Sequence, residues 1–345
     1  MDFTIFNHIL LPYLIAIFLA MNMGGSGTAP AFSVAYGSNV IRKNLIPGLF
    51  GIMVFLGAII SGKNTSITLG NDILPKELMT ANLVSIILLS VSISLLFANV
   101  IGVPQSTSQS TILAVTAPAI IFNNFNSNKL FVDIIPTWFI LPIISFFLCF
   151  LIGRYIYNPI RKKGYLLNPK THNHPILSVL VVAMSLYVAY SIGANNVANA
   201  AGPIASMTIN ELGLEHTESN FTYIIILSTL IVAPNFGIGS SIFGRKLMKN
   251  TGKEILLFGK IEAIIIAFVT ASLLLIASVS KGIPTSLVQL NVGAILGIGV
   301  AKLGVKNIFK KTEVNKFFVV WLIAPTIAFI TSLTLTWLSS RYGII

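Results

Sequence analysis

Long apolar segments separated by short polar connections make up nearly the whole chain. Each apolar run is about long enough to cross a bilayer as a helix and so predicts a membrane segment. The expected segments are 9–41, 45–61, 78–101, 105–121 and 134–156, then 176–209, 221–243, 261–279, 285–300 and 317–338. This pattern predicts an all-α polytopic membrane protein with about 10–12 membrane segments, in which 105–121 and 285–300 either span fully or are re-entrant.

The composition of the 345-residue chain agrees with this pattern. Hydrophobic residues make up 55% and charged residues 9%, and the mean hydropathy is +0.88. No soluble domain could bury that much apolar surface. The single cysteine, Cys149, lies in an apolar run, which excludes a disulfide framework. No nucleophile elbow, phosphate-binding glycine motif or metal-ligand spacing is present, so we expect neither an enzyme nor a cofactor.

Four polar interruptions break the apolar runs. They lie at 24–31, 102–104, 193–203 and 281–284, and all contain glycine and proline. Glycine weakens a helix and proline removes a backbone donor, so discontinuous helices are predicted at all four. Freed backbone groups inside a membrane need partners, and transporters use such groups to form ion sites near the midplane. We therefore expect the four interruptions to converge.

Three ordered landmarks recur in the two halves of the chain. The matched pairs are 102–114 with 282–294 (180 positions apart), 138–146 with 321–329 (183) and 57–63 with 239–245 (182). Two unrelated halves would not share landmarks in the same order, so the chain contains an internal repeat. The predicted organisation is a first transmembrane repeat at 1–153, a basic cytoplasmic linker at 154–175 and a second transmembrane repeat at 176–345.

Charge assigns the loops to the two sides of the membrane. The loops 245–260 and 302–316 are basic, like the linker, and are placed in the cytoplasm, whereas the acidic loop 210–219 is placed outside. The counterpart of this acidic loop in the first half, 41–44, is basic and belongs inside. Corresponding loops thus face opposite sides, which predicts two inverted-topology repeats with both termini outside the plasma (inner) membrane.

The net charge of +12 resides largely in these short loops. Cytoplasmic loops of membrane proteins carry such charge and face anionic lipid. Membrane lipid is therefore an expected partner of the chain, and nucleic acid is not.

Neutral polar side chains are concentrated at the interruptions. The run 105–111 is polar throughout, whereas helix capping alone would need a single Ser or Thr. We expect these side chains and the helix N-termini to bind an anion without full charge pairing, which would allow its release. An alternative for the asparagines is that they join helices across a packed interface. The predicted substrate-binding residues are Ser26, Gly27, Thr28, Ser106, Thr107, Ser108, Gln109, Asn195, Asn196, Asn199, Thr285, Ser286 and Gln289.

One carboxylate enters an apolar run. Glu262 begins the segment 261–276, and the equivalent residue in the first half is Asn82. We predict that Glu262 and Asn291 take part in coupling to an ion, H+ or Na+. The alternative for Glu262 is a glutamate at the level of the lipid headgroups, paired with Lys260.

The stretch Gly193-Ala-Asn-Asn-Val-Ala-Asn-Ala200 resembles the repeated signature Gly-Ala-Asn-Asp-x-Ala-Asn-Ala of the inorganic phosphate transporter (PiT) family. The segments that follow Gly102 and Gly282 are similar to that family's second element, Pro-x-Ser-Thr-Thr-His. Three features depart from the family pattern: the first-half stretch 24–31 has neither aspartate nor asparagine, Asn196 replaces the aspartate in the second half, and Gln109 stands where the phosphate carriers have histidine. The resemblance covers essentially the whole chain and implies a secondary transporter, and a homodimer is plausible by that resemblance only.

The first half resembles the sulfate-permease branch of the same family. The matching residues are Met21-Asn22-Met23-Gly24-Gly25-Ser26-Gly27 and Ala35-Tyr36-Gly37-Ser38. In the second half, Lys260-x-Glu262 is also similar to that branch. Sulfate can only accept hydrogen bonds, whereas phosphate at neutral pH also donates one, so a site rich in donors and without carboxylates favours sulfate. We predict symport of a tetrahedral oxyanion by alternating access. A phosphate carrier with sodium or proton coupling is the alternative, and an anion channel is a more distant one.

Overall fold

The computed structural model describes the backbone of residues 3–102, 105–163, 174–254, 259–309 and 312–345. Side chains are described for 8–102, 105–163, 174–248, 259–308 and 321–345. Every regular element in these ranges is a helix, which confirms the all-α fold class. Pro104 of the second predicted interruption and residues 164–173 of the predicted linker lie outside the described residues.

The helices are numbered here in chain order. They are α1 (Phe3–Gly37), α2 (Ile46–Ser61), α3 (Lys63–Ile67), α4 (Ala81–Ile101), α5 (Thr107–Ile121), α6 (Ile135–Leu151), α7 (Asn158–Lys162), α8 (Pro175–Asn196), α9 (Ala198–Glu211), α10 (Glu218–Val232), α11 (Pro234–Glu254), α12 (Lys260–Lys281), α13 (Leu287–Leu303), α14 (Val305–Phe309) and α15 (Thr312–Arg341). Short π-helical turns extend α3 and flank α6, and a 3-10 turn precedes α4. These turns are Thr68–Asp72, Lys129–Ile134, Ile152–Tyr157 and Lys76–Leu78.

Seven helical segments of the described chain are long and apolar enough to cross a membrane. An eighth candidate is the pair formed by α2 and α3 with its π turn, bent by 76°. The helices α5 and α13 are apolar but shorter. The predicted segments 105–121 and 285–300 are these two short helices, and their length leaves open whether they span or are re-entrant.

The first predicted interruption, at 24–31, is wrong, because α1 continues through it to Gly37. An ideal Cβ at Gly24 would lie 2.6 Å from the Cα of Phe236 on α11. Small residues allow helices in a membrane to approach closely, and here they serve that packing rather than a break. The hydroxyl of Thr28 donates back to the carbonyl of Gly24 at 2.7 Å, so it is satisfied within α1.

The asparagine stretch is also nearly continuous, contrary to the predicted break. Only Val197 separates α8 from α9, and its φ of −61° and ψ of −33° are helical. Gly193 and Gly202 again lie against backbone: an ideal Cβ at Gly202 would come within 2.7 Å of the carbonyl oxygen of Ser66. The glycines of this stretch therefore permit tight helix crossing, and few backbone groups are freed.

The polar connection 62–77, between the predicted segments 45–61 and 78–101, is partly helical. After Gly62 the chain turns sharply into α3 and its π turn, where Thr65 and Thr68 are buried. The bend brings Asn64 to the carbonyl of Val279 near the end of α12, where its amide donates at 2.7 Å. This segment therefore packs against the second half of the chain rather than lying in solvent.

The two remaining interruptions are present. The helices α4 and α12 end at Gly102 and Gly282, both in the left-handed conformation with φ of 86° and 60°. This conformation is strained for residues with a side chain, which explains glycine at both positions. The chain then resumes as α5 and α13, which begin after the capping residues Ser106 and Ser286.

The helices of the two halves pack reciprocally. The first helix of each half packs against the other half: α1 contacts α11, and α8 contacts α2. The close contacts correspond: Gly57 on α2 meets the backbone of Tyr190 on α8, and Gly239 on α11 meets the backbone of Met21 on α1. Phe32, Phe50 and Phe236 are fully buried in the core that these helices share.

The same exchange occurs at the ends of the halves. The helix α13 packs against α6, and α5 packs against α15. The hydroxyl of Ser145 on α6 donates to the carbonyl of Leu290 at 2.9 Å, and the hydroxyl of Ser332 on α15 donates to that of Ala114 at 2.7 Å. The two short helices that follow the glycine breaks are thus held inside the bundle by the opposite half.

Candidate functional site

Two helix N-termini face the interior of the bundle at the glycine breaks. The side-chain oxygen of Ser106 accepts from the backbone N–H of Gln109, and that of Ser286 accepts from the N–H of Gln289, both at 3.3 Å. These serines are ordinary N-caps. The remaining N–H groups of each first turn and the helix dipole favour a negative charge beside the two caps.

Gln109 and Gln289 bond to each other across the two halves. The Nε2 of Gln109 donates to the Oε1 of Gln289 at 3.1 Å, and the reverse bond is 3.0 Å. Both side chains are buried. The two residues are 180 positions apart, which is the offset between the matched segments 102–114 and 282–294. Equivalent residues bond reciprocally in this way when two halves are related by a two-fold axis. The pair joins the first turns of α5 and α13 directly.

Asn195 connects both short helices to α8. Its amide lies 3.1 Å from the hydroxyl of Ser108 and 2.8 Å from the hydroxyl of Ser278, and its oxygen accepts from the backbone N–H of Thr285 at 3.3 Å. Asn195 is fully buried. Asn195 therefore joins helices across a packed interface, which is the alternative role given for the asparagines in the sequence analysis.

Asn199 makes the corresponding contact to α5 and α1. Its Nδ2 lies 3.3 Å from the hydroxyl oxygen of Thr107 and 3.8 Å from the sulfur of Met23. Its Oδ1 is buried and has no donor among the described residues. A buried amide oxygen without a donor carries a desolvation cost, so it is a candidate ligand for a donor or a cation.

A small cavity lies between the two caps. It has room for about one water molecule, so a tetrahedral anion requires it to widen. The residues that line it are Ser26, Gly27, Pro30, Gln105, Ser106, Thr107, Ile192, Asn196, Ser286, Leu287 and Val288. None of these residues is charged, so the described part of the cavity offers only neutral donors, acceptors and backbone dipoles.

The predicted site residues divide into three groups. Those that line the cavity are Ser26, Gly27, Ser106, Thr107, Asn196 and Ser286. Those that form the buried network behind it are Ser108, Gln109, Asn195, Asn199, Thr285 and Gln289. The third group is elsewhere: Thr28 bonds to its own helix, and Asn291 is partly exposed on α13.

The prediction missed the apolar walls of the cavity. Gln105 belongs to the polar run 105–111 that is expected to line the site, although it is not among the residues assigned to binding, and it does line the cavity. Its equivalent in the second half is Thr285. Ile192, Leu287 and Val288 carry no signal in the sequence, because apolar residues are the background of every membrane segment. Only the three-dimensional arrangement selects them.

Glu262 lies far from the cavity, in a buried cluster of its own. Its Oε1 accepts from the Nζ of Lys302 at 2.7 Å and from the hydroxyl of Tyr157 at 2.5 Å. The Lys302 ammonium also lies 5.5 Å from the centre of the Tyr157 ring. About 20 residues of α12, or about 30 Å of helix, separate Glu262 from Gly282. The ion pair with Lys260 offered as the alternative does not form, because Lys260 donates to Ser178.

A model of the phosphate transporter family matches residues 23–332, which is nearly the whole chain. The chain belongs to the phosphate transporter family. As a member of this family it is an integral membrane protein and an inorganic-anion permease, and not an enzyme. This establishes the resemblance that the asparagine stretch and the two Gly-x-Pro elements indicated.

Individual relatives agree with this assignment. The chain is 32% identical to the sulfate permease CysP of Bacillus subtilis over 90% of its own length and 82% of that protein. It is 28% identical to the "Putative phosphate permease" of Pyrococcus horikoshii, over 93% and 95% of the two chains. A solved structure titled "The sodium-dependent phosphate transporter" shares the fold with a TM-score of 0.82 and 21% identity, over 97% and 99% of the two chains.

Proposed function

We propose that this family member is a secondary permease that carries a tetrahedral inorganic oxyanion, with sulfate favoured, by alternating access. The observation that carries the proposal is the uncharged polar cavity between the capped N-termini of α5 and α13. Each of these helices is held by the opposite half of the chain. A relative movement of the two halves would therefore change the cavity on both sides at once.

The reciprocal contacts support two repeats of inverted topology. The Gln109–Gln289 pair and the matched glycine crossings at Gly57 and Gly239 each relate a residue of one half to its counterpart in the other. Together with the loop charges, they support both termini outside the plasma membrane. The exposed apolar surface of the spans is available to membrane lipid. The homodimer stays a prediction.

The chemistry of the cavity supports a doubly charged anion that is released readily. Helix N-termini and hydroxyl donors stabilise negative charge, whereas an arginine or lysine in the cavity would bind it too tightly to turn over quickly. Asn196 lines the cavity at the position of the aspartate in the family's signature. A carboxylate at this position could accept the proton of phosphate, whereas sulfate has no proton to donate. The absence of a carboxylate therefore favours sulfate over phosphate. The naming of one relative as a sulfate permease agrees with this choice.

Uptake of labelled anion into proteoliposomes tests the function. We expect saturable sulfate uptake that unlabelled sulfate and other tetrahedral dianions without a proton inhibit, and counterflow when the vesicles are preloaded with sulfate. Phosphate should compete weakly. Phosphate uptake that excludes sulfate would replace sulfate with phosphate as the substrate, and single-channel currents in place of counterflow would contradict a carrier.

Proton coupling through Glu262 is tested separately. If Glu262 carries the coupled proton, Glu262→Gln should remove the pH dependence of uptake while sulfate still binds, because glutamine keeps the side-chain shape without titrating. The exposed carboxylate of Glu218, paired with Lys63, provides a control, and Glu218→Gln should leave the pH profile unchanged. An unchanged profile in Glu262→Gln would leave Glu262 a structural member of its cluster with Lys302 and Tyr157.

A further inference from the structure

A buried ion pair joins the two ends of the hairpin that α12 and α13 form. Glu262 lies in the first turn of α12 and Lys302 in the last turn of α13, and the carboxylate accepts from the ammonium at 2.7 Å. Their side chains are only 4% and 12% exposed. The two helices are connected at their other ends by the break at Gly282. The ion pair therefore closes the open end of the hairpin.

The chain that follows α6 completes this cluster. The hydroxyl of Tyr157, at the end of the π turn, donates to the same carboxylate oxygen at 2.5 Å. The amide of Asn158 donates to the carbonyl of Ala301 at 2.8 Å, and an ideal Cβ at Gly153 would lie 2.9 Å from the Cβ of Ala301. This segment thus lies directly against the end of α13. Because the predicted linker begins here, we call this end of the hairpin the linker end.

The helices α6 and α13 form one tightly packed unit, whereas α12 is tied to a different helix. Ideal Cβ atoms at Gly293 and Gly297 of α13 would overlap backbone carbonyls of α6, so these two helices cannot shift without repacking. The helix α12 is instead bonded to α8, where the hydroxyl of Ser278 lies 2.8 Å from the amide of Asn195. The boundary between α12 and α13 is therefore where the two units can separate, and the cluster lies across it.

The first half of the chain has uncharged residues at the equivalent positions. With the shift of 180, the counterparts of Glu262 and Lys302 are Asn82 and Phe122. Asn82 is exposed and donates to the carbonyl of Ile344 at 3.0 Å. The charged closure of the α12–α13 hairpin is thus a property of the second half, although the glycine breaks and helix caps of the two halves are matched.

An ion pair suits a contact that has to open to water. Removing two charges from water is costly, so a buried pair adds little net stability over an apolar contact of the same size. When the contact opens, water solvates both charges and offsets much of the lost attraction, whereas an apolar pair would be exposed at a cost. Loss of one partner from the closed contact leaves the other charge buried and uncompensated.

We propose that Glu262, Lys302 and Tyr157 form a latch that closes the cavity toward the linker end, and that the latch opens in each transport cycle. Opening would move α13, whose N-terminus borders the cavity at Ser286, relative to α8 and α12. None of the three latch residues is among the described residues that line the cavity, so they act through the position of α13. This inference rests on the alternating access of the proposed function, but not on which anion is carried.

Cys149 provides a native probe of the latch. It is the single cysteine of the chain and lies on α6, fully buried among Ile266 and Val269 of α12 and Ala294 and Ile298 of α13. A buried thiol is inert until the structure around it opens. The rate at which N-ethylmaleimide labels Cys149 in proteoliposomes therefore measures how often α12 moves away from α6 and α13.

The first test is Lys302→Met, which removes the ammonium and leaves the buried carboxylate of Glu262 with Tyr157 alone. We expect Cys149 to be labelled about 10-fold faster or more than in the wild type, because an uncompensated buried charge disfavours the closed hairpin. Tyr157→Phe should accelerate labelling less, since it removes one hydrogen bond and no charge. Labelling of Lys302→Met at the wild-type rate would overturn the latch.

A double variant, Glu262→Leu with Lys302→Met, distinguishes a latch that must open from a contact that only supports the fold. Two apolar side chains keep the hairpin closed without a buried charge, so labelling of Cys149 should return to the wild-type rate or below. Sulfate uptake should still fall about 5-fold or more, because opening now exposes apolar surface. Wild-type uptake in this double variant would show that transport does not require the hairpin to open.

Two controls separate the latch from general effects. Lys63→Met breaks the exposed ion pair with Glu218 and should leave the labelling of Cys149 unchanged. Gly239→Ala loosens the crossing of α11 and α1, and below its unfolding midpoint it should also label at the wild-type rate. Equal acceleration in Gly239→Ala and Lys302→Met would contradict a specific latch. Labelling is measured without an anion, so a wild-type protein that takes up no sulfate would count against the sulfate permease and not against the latch.

Discussion

Replacing Gly239 by valine is expected to prevent the accumulation of folded protein. Gly239 lies where α11 crosses α1, and an ideal Cβ at this position would lie 2.5 Å from the carbonyl carbon of Met21 and closer still to its oxygen. The obstacle is backbone, which cannot rotate away as a side chain can. Overpacking typically costs about 1–3 kcal/mol, and we expect the upper end or more here, because two long helices would have to separate.

The equivalent crossing should respond in the same way. Gly57 on α2 meets the carbonyl of Tyr190 on α8, so Gly57→Val should match Gly239→Val in its effect. Folded protein is measured by size-exclusion chromatography in detergent, and stability by the midpoint of thermal unfolding. Alanine at either position already introduces the Cβ and should lower the midpoint clearly.

Gly48 supplies the control for this pair. It lies on α2, and outside the backbone of its own helix no atom of the described residues lies within 4 Å of the position of its ideal Cβ. Alanine favours a helix over glycine by about 1 kcal/mol, so Gly48→Ala should be neutral or slightly stabilising. If Gly57→Ala and Gly239→Ala unfold at the wild-type midpoint, the close crossings do not determine the stability of the bundle.

The glycines show how far the sequence alone could predict this fold. Gly102 and Gly282 are followed two residues later by proline, and both end a helix, as predicted. The left-handed conformation of both is a finding of the structure. Gly24 and Gly193 stand in equally polar stretches, yet their helices continue. Some glycines are required for a positive φ and others for the close approach of two helices, and the sequence does not distinguish the two kinds. What distinguishes them is whether a partner helix lies against the glycine, which a local sequence pattern does not show.

The candidate site was predictable to a similar degree. The cap serines and the polar run after them follow from local chemistry, since Ser is a preferred N-cap and polar side chains in a membrane face a cavity or another helix. The pairing of Gln109 with Gln289 follows only if the repeat is placed about a two-fold axis. The orientation of Gln105 depends on Ser94, which accepts from the Gln105 amide because its own hydroxyl proton is donated to the carbonyl of Ala324. No local sequence pattern predicts a hydrogen bond to a residue so far along the chain.

These features together explain a site with little charge. In the proposed site, helix dipoles and hydroxyl groups stabilise the anion without a charged side chain. The charged cluster of Glu262, Lys302 and Tyr157 is kept about a helix length away. Binding energy in the cavity then stays low enough for release on either side of the membrane.

Removing one member of the glutamine pair is expected to impair transport at least as much as removing both. In Gln109→Met the amide of Gln289 loses both of its bonds to the partner and stays buried, and Gln289→Met does the same to Gln109. An unsatisfied buried polar group costs about 1–3 kcal/mol. Each single variant should therefore lose about 1–3 kcal/mol in the free energy of unfolding. If the cost falls on the transport cycle instead, the uptake rate should fall about 5- to 150-fold.

The double variant separates a pair from two independent ligands. When both amides are replaced, no orphaned group remains, so the loss should be no larger than that of either single variant, with a coupling energy of at least about 1–3 kcal/mol in the double-mutant cycle. Thr270→Val provides the control, because Thr270 is buried on α12 and bonds within its own helix. Additive losses of Gln109→Met and Gln289→Met would mean that each amide acts on the anion separately, and that the bond between them does not hold the two halves together.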